Sequence, residues 1–247
     1  MGTIFNDILD FFYPERLKCL ICDADMMDDL SENYICETCL EKLFSEGGRC
    51  HQCDRPVEQV YSQLEIYQHK CKACQEHFHY FTRHVTCTLY EGEMKRMLLG
   101  LKYKNRVEGV RAIVQAMSTR TLNTEFIKSV QYIIPVPIHW TRHMSRGFNQ
   151  SRLIADGVGK EQDIEVLDCL KRVKRTKKLK NLNKEARKSM MKDAIILDEK
   201  SKIVLSGKDV LLIDDIYTTG STLDECAKVL YEAGADRIYC MTFAMGR

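Results

Sequence analysis

The chain has 247 residues, 45% of them hydrophobic and 29% charged, with a formal net charge of +2. These values describe a globular protein long enough for one sizeable domain and a smaller companion. No apolar run approaches the roughly 18 residues a membrane span needs, which excludes a membrane-embedded function. The near-neutral total hides two charge blocks: Met1–Gly48 holds eleven acidic and three basic residues, and Lys171–Lys192 eleven basic and one acidic.

The opening segment MGTIFNDILDFFYPERLKC has no basic leader and no small-residue cleavage site, so it does not read as a signal peptide. Ile4, Phe5, Ile8, Leu9, Phe11 and Phe12 recur at helical spacing and predict a short amphipathic helix ended by Pro14. Such a helix would pack on its own protein, or dock to a partner or a membrane surface; its acidic neighbours oppose anionic lipid.

Eight of the twelve cysteines form four C-x-x-C pairs: Cys19/Cys22, Cys36/Cys39, Cys50/Cys53 and Cys71/Cys74. A disulfide framework has no reason to prefer this spacing. One tight turn can, however, present two thiolates to the same tetrahedral ion, so two structural zinc ions in a reducing, cytoplasmic setting are expected. CLICDADM and CHQCDRPV read as knuckle turns, CETCLEKLF and CKACQEHFHYF as C-x-x-C leading into a helix. Two knuckle-then-helix units pair the first motif with the second and the third with the fourth; a crossed pairing of first with third is the alternative. His51, His69, His77, His79 and His84 lie in or beside this region and read as surface residues or donors to the ligands. Four thiolates per ion and an acidic first unit oppose phosphate binding, which favours a structural or protein-binding module over residues 1–84.

From about Val85 strand and helix signals alternate. HVTCTLY reads as a strand, GEMKRMLLGLKY and GVRAIVQAMSTRTL as helices, and VQYIIPVPI as a buried strand ending in prolines. FNQSRLIADGVGK is a helix, IEVLD a short strand, KDVLLIDD a strand, STLDECAKVLYEAGA a helix capped by Gly234, and DRIYCMTFAMG a final strand. The expectation is an α/β fold over residues 85–247, an open and mostly parallel sheet. Cys87, Cys169, Cys226 and Cys240 lack metal spacing and read as packing residues.

Ligands of such sheets bind at the carboxyl ends of the strands. There the segment VLLIDDIYTTGST places Asp214 and Asp215 before a hydroxyl-rich turn that enters a helix. Helix-start amides cradle an anion, and adjacent carboxylates accept from vicinal hydroxyls, so a sugar phosphate suits both. An acidic N-cap is the plainer alternative, but one acid would suffice for it.

This segment resembles the PRPP-binding motif of type I phosphoribosyltransferases. The resemblance implies that Asp214 and Asp215 hold the ribose hydroxyls, and that Thr218, Thr219, Gly220, Ser221 and Thr222 wrap the 5-phosphate, with Mg2+ accompanying PRPP. A second block, IIPVPIHWTRHMSRGFNQSRLIA, together with LKYKNR, resembles the signature of the ComF family, which joins a cysteine-rich zinc module to a phosphoribosyltransferase-like domain. By that resemblance Arg142, Arg146 and Asn149, with Lys102, are candidates to line a pyrophosphate loop; Asn149 reads equally as a helix N-cap.

The basic segment lies where such transferases carry a mobile loop. It keeps Arg172, Thr176 and Arg187 of the family pattern, but has Leu179 where Gln is expected and Met190 where Asn is expected. Its charge excess exceeds the need of one pyrophosphate, which makes Arg172, Arg175, Lys177, Lys178, Lys180 and Arg187 candidates for single-stranded DNA; a solvated charged loop is the alternative. It carries no aromatic residue for base stacking.

The family resemblance implies a late competence protein that handles incoming single-stranded DNA during natural transformation, partnered by a ComFA-type helicase and a recombination mediator at the inner face of the membrane. An active phosphoribosyltransferase on a small acceptor, or a zinc-dependent adaptor with a vestigial pocket, are the alternatives. Some purine transferases carry an aspartate three residues after the acid pair; here Thr218 stands there and cannot do acid–base work at neutral pH.

Overall fold

The computed structural model describes residues 18–26, 33–43, 48–57, 70–104, 108–122, 124–174 and 192–246. The helix expected over residues 4–12 lies outside them. In chain order the elements are α1 (Glu37–Leu43), α2 (Lys72–Glu76), β1 (Arg83–Leu89), α3 (Gly92–Lys104), α4 (Glu108–Leu122), β2 (Val130–Pro135), α5 (Trp140–Arg146) and α6 (Gln150–Gln162). There follow β3 (Glu165–Val166), β4 (Leu170–Arg172), β5 (Ile195–Leu197), α7 (Ser201–Leu205), β6 (Asp209–Tyr217), α8 (Ser221–Glu232) and β7 (Ile238–Met245).

Parallel strands covered by helices on both faces read as unbroken apolar runs, and β6 and β7 do so. They sit inside a five-stranded sheet ordered β1-β7-β6-β2-β3 with every neighbouring pair parallel. The open parallel sheet expected from the sequence is therefore the fold. Alternate side chains of β6 feed different cores. Leu211 and Ile213 pack with α4 and α6, whereas Val210 and Leu212 pack with α8.

Each cysteine unit joins one of those cores. Cys19, Ile35 and Cys39 belong to the α4 side, and Cys50, Cys53, Cys71 and Cys74 to the α8 side. The first unit is fastened by Gln115 of α4, whose side-chain oxygen accepts from the amides of Tyr34 and Ile35 at 2.8 and 3.0 Å. The second is fastened by Asp54, which follows the Cys50/Cys53 knuckle in a left-handed conformation (φ 60°). Its buried carboxylate accepts from the Thr86 amide of β1 at 2.8 Å and pairs with Arg49 at 3.2 Å.

Three features depart from the sequence reading. β6 continues past the acid pair to Tyr217. Residues 140–146, read as loop, form α5, capped by His139 and ended by Gly147 at φ 79°. The basic segment is flanked by an antiparallel ribbon, β4 with β5. Short helices and three-residue strands are too brief to show a period, so pattern reading passes over them.

Removing the Asp54 carboxylate leaves the Thr86 amide without that acceptor and takes a charge partner from Arg49. Asp54→Ala is expected to lower unfolding stability by about 3 kcal/mol in urea melts; a loss below about 0.5 kcal/mol would show that the contact does not hold the ribbon to β1.

Candidate functional site

The sulfurs of Cys19, Cys22, Cys36 and Cys39 all lie within 4.8 Å of one another, as do those of Cys50, Cys53, Cys71 and Cys74. The pairing is therefore first with second and third with fourth, not crossed. Between motifs, Cys22 and Cys36 sulfurs are 3.8 Å apart, and Cys53 and Cys71 sulfurs 3.7 Å. A tetrahedron with zinc–sulfur bonds of about 2.3 Å has edges of about 3.8 Å, so both donor sets fit zinc. Backbone amides reinforce the match: Ile21 and Cys36 donate to the Cys19 sulfur, and Cys71 to the Cys50 sulfur. The remaining cysteines are fully buried, and burial raises Cys169 to about 12 and lifts Cys87, Cys226 and Cys240 well above the thiol range. They are inert packing thiols.

At the carboxyl end of the sheet the strand pairings end unequally. β6 pairs with β7 as far as Tyr217 opposite Met245, but its pairing with β2 ends at Ile213 opposite Pro135. Past Ile213 one edge of β6 is open, and there Asp214 and Asp215 stand. Asp214 is half-buried; its Oδ1 accepts from the Ser151 hydroxyl at 2.7 Å and from the Asp215 amide at 2.9 Å. Asp215 is buried.

The turn after β6 enters α8 with no side-chain cap. The first backbone bond across it runs from Asp224 N–H to the Gly220 carbonyl, leaving the preceding amides at the helix start, where an anion is favoured. Gly220 has φ 79°, and a Cβ there would lie 2.6 Å from the Tyr217 hydroxyl, so both backbone and space demand glycine. Thr219 and Ser221 hydroxyls are 3.0 Å apart, and Thr218 is exposed at the rim. Thus the structure brings Asp214, Asp215 and residues 218–222 to one end of the sheet.

The pyrophosphate candidates fare differently. Asn149 is the N-cap of α6: its side-chain oxygen accepts from the Ser151 amide at 3.1 Å, and its nitrogen donates to the Val136 carbonyl at 3.1 Å. Its amide thus holds α6 to the end of β2, which in turn sets Ser151 on Asp214. Arg142 and Arg146 lie on α5 and Lys102 on α3; their side chains are outside the described set. Arg172 sits half-buried in β4, bridged through its backbone to His139. Arg175, Lys177, Lys178, Lys180 and Arg187 lie outside the described residues. Both ends of that segment are fixed, however. Val173 N–H donates to the Ala194 carbonyl at 2.9 Å, and the Asp193 amide donates to Glu225 of α8 at 2.7 Å.

Sequence reasoning missed the residues behind the turn. His84 is fully buried, with Nδ1 2.9 Å from the Cys53 carbonyl and Nε2 2.9 Å from the Thr242 hydroxyl, and its ring stacks on Tyr217 at 4.4 Å. Burial lowers its pKa to about 4, so the ring is neutral. His79 lies between Cys74 and Asp224, and Arg55 donates to the Thr218 carbonyl at 3.4 Å. The two histidines lie in the cysteine-rich region, but nothing in their spacing marks them apart from His51 and His77, which are exposed.

Two family models match the chain: a double zinc ribbon domain over residues 8–75 and a phosphoribosyl transferase domain over residues 154–247. The chain is 27% identical over 235 residues to competence protein F of Haemophilus influenzae, covering 94% of this chain and 96% of that protein. It is 26% identical over 231 residues to competence protein ComFC of Bacillus subtilis, with 89% and 90% covered. To the DNA utilization protein YhgH of Escherichia coli K12 it is 27% identical over 216 residues, with 84% and 89% covered. Two tetrathiolate clusters ahead of a parallel sheet thus follow the order of the two matching domains, a double zinc ribbon and then a phosphoribosyl transferase domain, and the chain is similar over most of its length to competence and DNA utilization proteins.

Proposed function

We propose that this protein handles incoming single-stranded DNA during natural transformation, and that the open edge of β6 takes PRPP or a related ribose phosphate. The names of its relatives, competence proteins and DNA utilization proteins, support the first half. The observation that carries the reading is the shared footing of the two anion-binding features. The phosphate turn opens α8, and the basic segment is rooted on the same helix through Asp193 and Glu225.

In this reading the 5-phosphate sits on the amides and hydroxyls of residues 218–222, and Asp214 and Asp215 accept from the ribose hydroxyls. Mg2+ would enter with the ligand and offset its pyrophosphate charge, with Arg142, Arg146 and Lys102 on that side. A single strand would follow Arg172, Arg175, Lys177, Lys178, Lys180 and Arg187. Base stacking, absent from the segment itself, would fall to Trp140, the chain's single tryptophan. It is 65% exposed at the start of α5, one residue from the His139–Arg172 bridge. A ComFA-type helicase and a recombination mediator are the partners this role calls for. Among the described residues no helix is long and apolar enough to cross a membrane.

Three outcomes test the proposal. Calorimetric titration of PRPP with Mg2+ should show binding that Asp214→Asn with Asp215→Asn weakens at least tenfold. Pyrophosphate release in the same mixture would mean that the site is catalytic. Gly220→Ala should weaken that binding as strongly, since left-handed backbone costs a Cβ-bearing residue about 1–2 kcal/mol even without the Tyr217 clash; unchanged affinity would move the ligand off this turn. Labelled oligo-dT should bind with a steep salt dependence and quench Trp140 fluorescence. Replacing Arg175, Lys177, Lys178 and Lys180 by Gln should reduce the salt slope by about 3, and binding that survives unchanged would sink the DNA reading.

A further inference from the structure

The second zinc ribbon touches the phosphate turn directly through Arg55, which donates to the Thr218 carbonyl at 3.4 Å, and from behind along two further lines. One starts at Cys53, whose carbonyl meets His84; the His84 ring stacks on Tyr217, and the Tyr217 hydroxyl fills the space beside Gly220. The other starts at Cys74. Its sulfur lies 3.6 Å from His79 Nε2, and His79 Nδ1 lies 2.7 and 3.0 Å from the two Asp224 oxygens. Asp224 is in the first turn of α8, where its own amide closes on the Gly220 carbonyl at 2.8 Å. His79 is 6% exposed and stacked on Phe81 at 4.7 Å, so its ring has one orientation. A carboxylate can only accept, so Nδ1 donates to it, while Nε2 packs against the Cys74 sulfur.

We propose that His79 and Asp224 are positioning residues that tie the second zinc site to the phosphate turn, so that zinc occupancy and sugar-phosphate binding support each other. The inference rests on the sugar-phosphate reading of the turn given above and adds what controls it. A ribbon this small has no core of its own to hold its four thiols together, so the ion decides whether Cys53 and Cys74 are held in place. With the ion bound, His79 and His84 hold Asp224 and Tyr217, and through them both sides of Gly220. Without it, the Cys74 line loses its fixed end, and the Cys53 line keeps only the fastening of the knuckle to β1 through Asp54. Linkage then requires the reverse effect: a ligand that fixes the turn retards loss of zinc from Cys50, Cys53, Cys71 and Cys74. The first site, fastened to α4 through Gln115, has no such connection among the described residues.

The full chain tests this with two readouts. Cys22→Ser removes one ligand of the first site, so that zinc release to a chromogenic chelator reports the second site alone. In that background Asp224→Ala should speed release about tenfold, although Asp224 touches no zinc ligand. His79→Ala should do the same, and the double variant should add little to either. Saturating PRPP should slow release several-fold, and the slowing should vanish in both variants. In calorimetry, zinc-loaded His79→Ala and Asp224→Ala should bind PRPP about tenfold more weakly than the parent. Unchanged zinc release in Asp224→Ala would overturn the coupling, whatever PRPP does. If the parent binds no PRPP, the ligand reading falls, while the release rates still decide whether ribbon and turn are linked. If the parent binds PRPP and the variants match it within twofold, the positioning role is wrong and the ligand reading stands.

Discussion

The site depends on one mismatch in the sheet: β6 keeps its pairing with β7 for four residues after β2 has turned away. Backbone groups freed at a strand edge must find other partners or face a ligand. Here the edge opens where Asp214 and Asp215 stand, and the turn that follows is carried past β2 to the far end of the sheet. The same extension brings Tyr217 against His84, and so brings the turn against the second ribbon. Had β6 ended with the acid pair, as the sequence suggested, the turn would sit lower and the ribbon would not reach it. The pairing of β2 stops at Pro135, and Asn149 fixes the chain just beyond it by donating to the Val136 carbonyl.

The two zinc ribbons are similar in sequence and unlike in their use. Each is a knuckle, an aspartate in the left-handed region, and a C-x-x-C leading into a short helix. They join opposite faces of the sheet, one packed on α4 and the other on the α8 side. Cysteines that complete a metal site while contributing to the domain core make the ribbons part of the sheet's own packing. That arrangement suits a module too small to bury a core alone, since it borrows apolar surface from the sheet and cross-linking from the ion.

What the sequence showed follows from the range of each signal. The four C-x-x-C motifs, the apolar runs of β6 and β7 and the strand-turn-helix from β6 into α8 are local patterns, and local patterns can be read in one dimension. The pairing of the ribbons needed distances, although repetition of the knuckle-then-helix unit already favoured adjacent motifs. His79, Asp224 and His84 could not be found because they act across long separations, 145 residues between His79 and Asp224 alone. Asn149 shows the opposite difficulty. Its place in a family signature suggested ligand contact, and the plain physics of an asparagine before a helix predicted the N-cap that the structure shows.

The chemistry available at the turn separates holding from reacting. Proton transfer needs a titratable group with a free face toward the reacting atom. Thr218 offers a hydroxyl in the position where some purine transferases carry an acid. The two histidines behind the turn have their polar atoms engaged. His79 spans Cys74 and Asp224, and His84 spans the Cys53 carbonyl and Thr242. On the open side, Oδ1 of Asp214 takes two donors, Ser151 and the Asp215 amide, which fixes the carboxylate as an oriented acceptor. A site so arranged is well suited to receive hydroxyls and a phosphate in fixed places. The same engagement makes His79 and His84 good struts, and it puts the second ribbon's influence on the holding of a ligand at the turn.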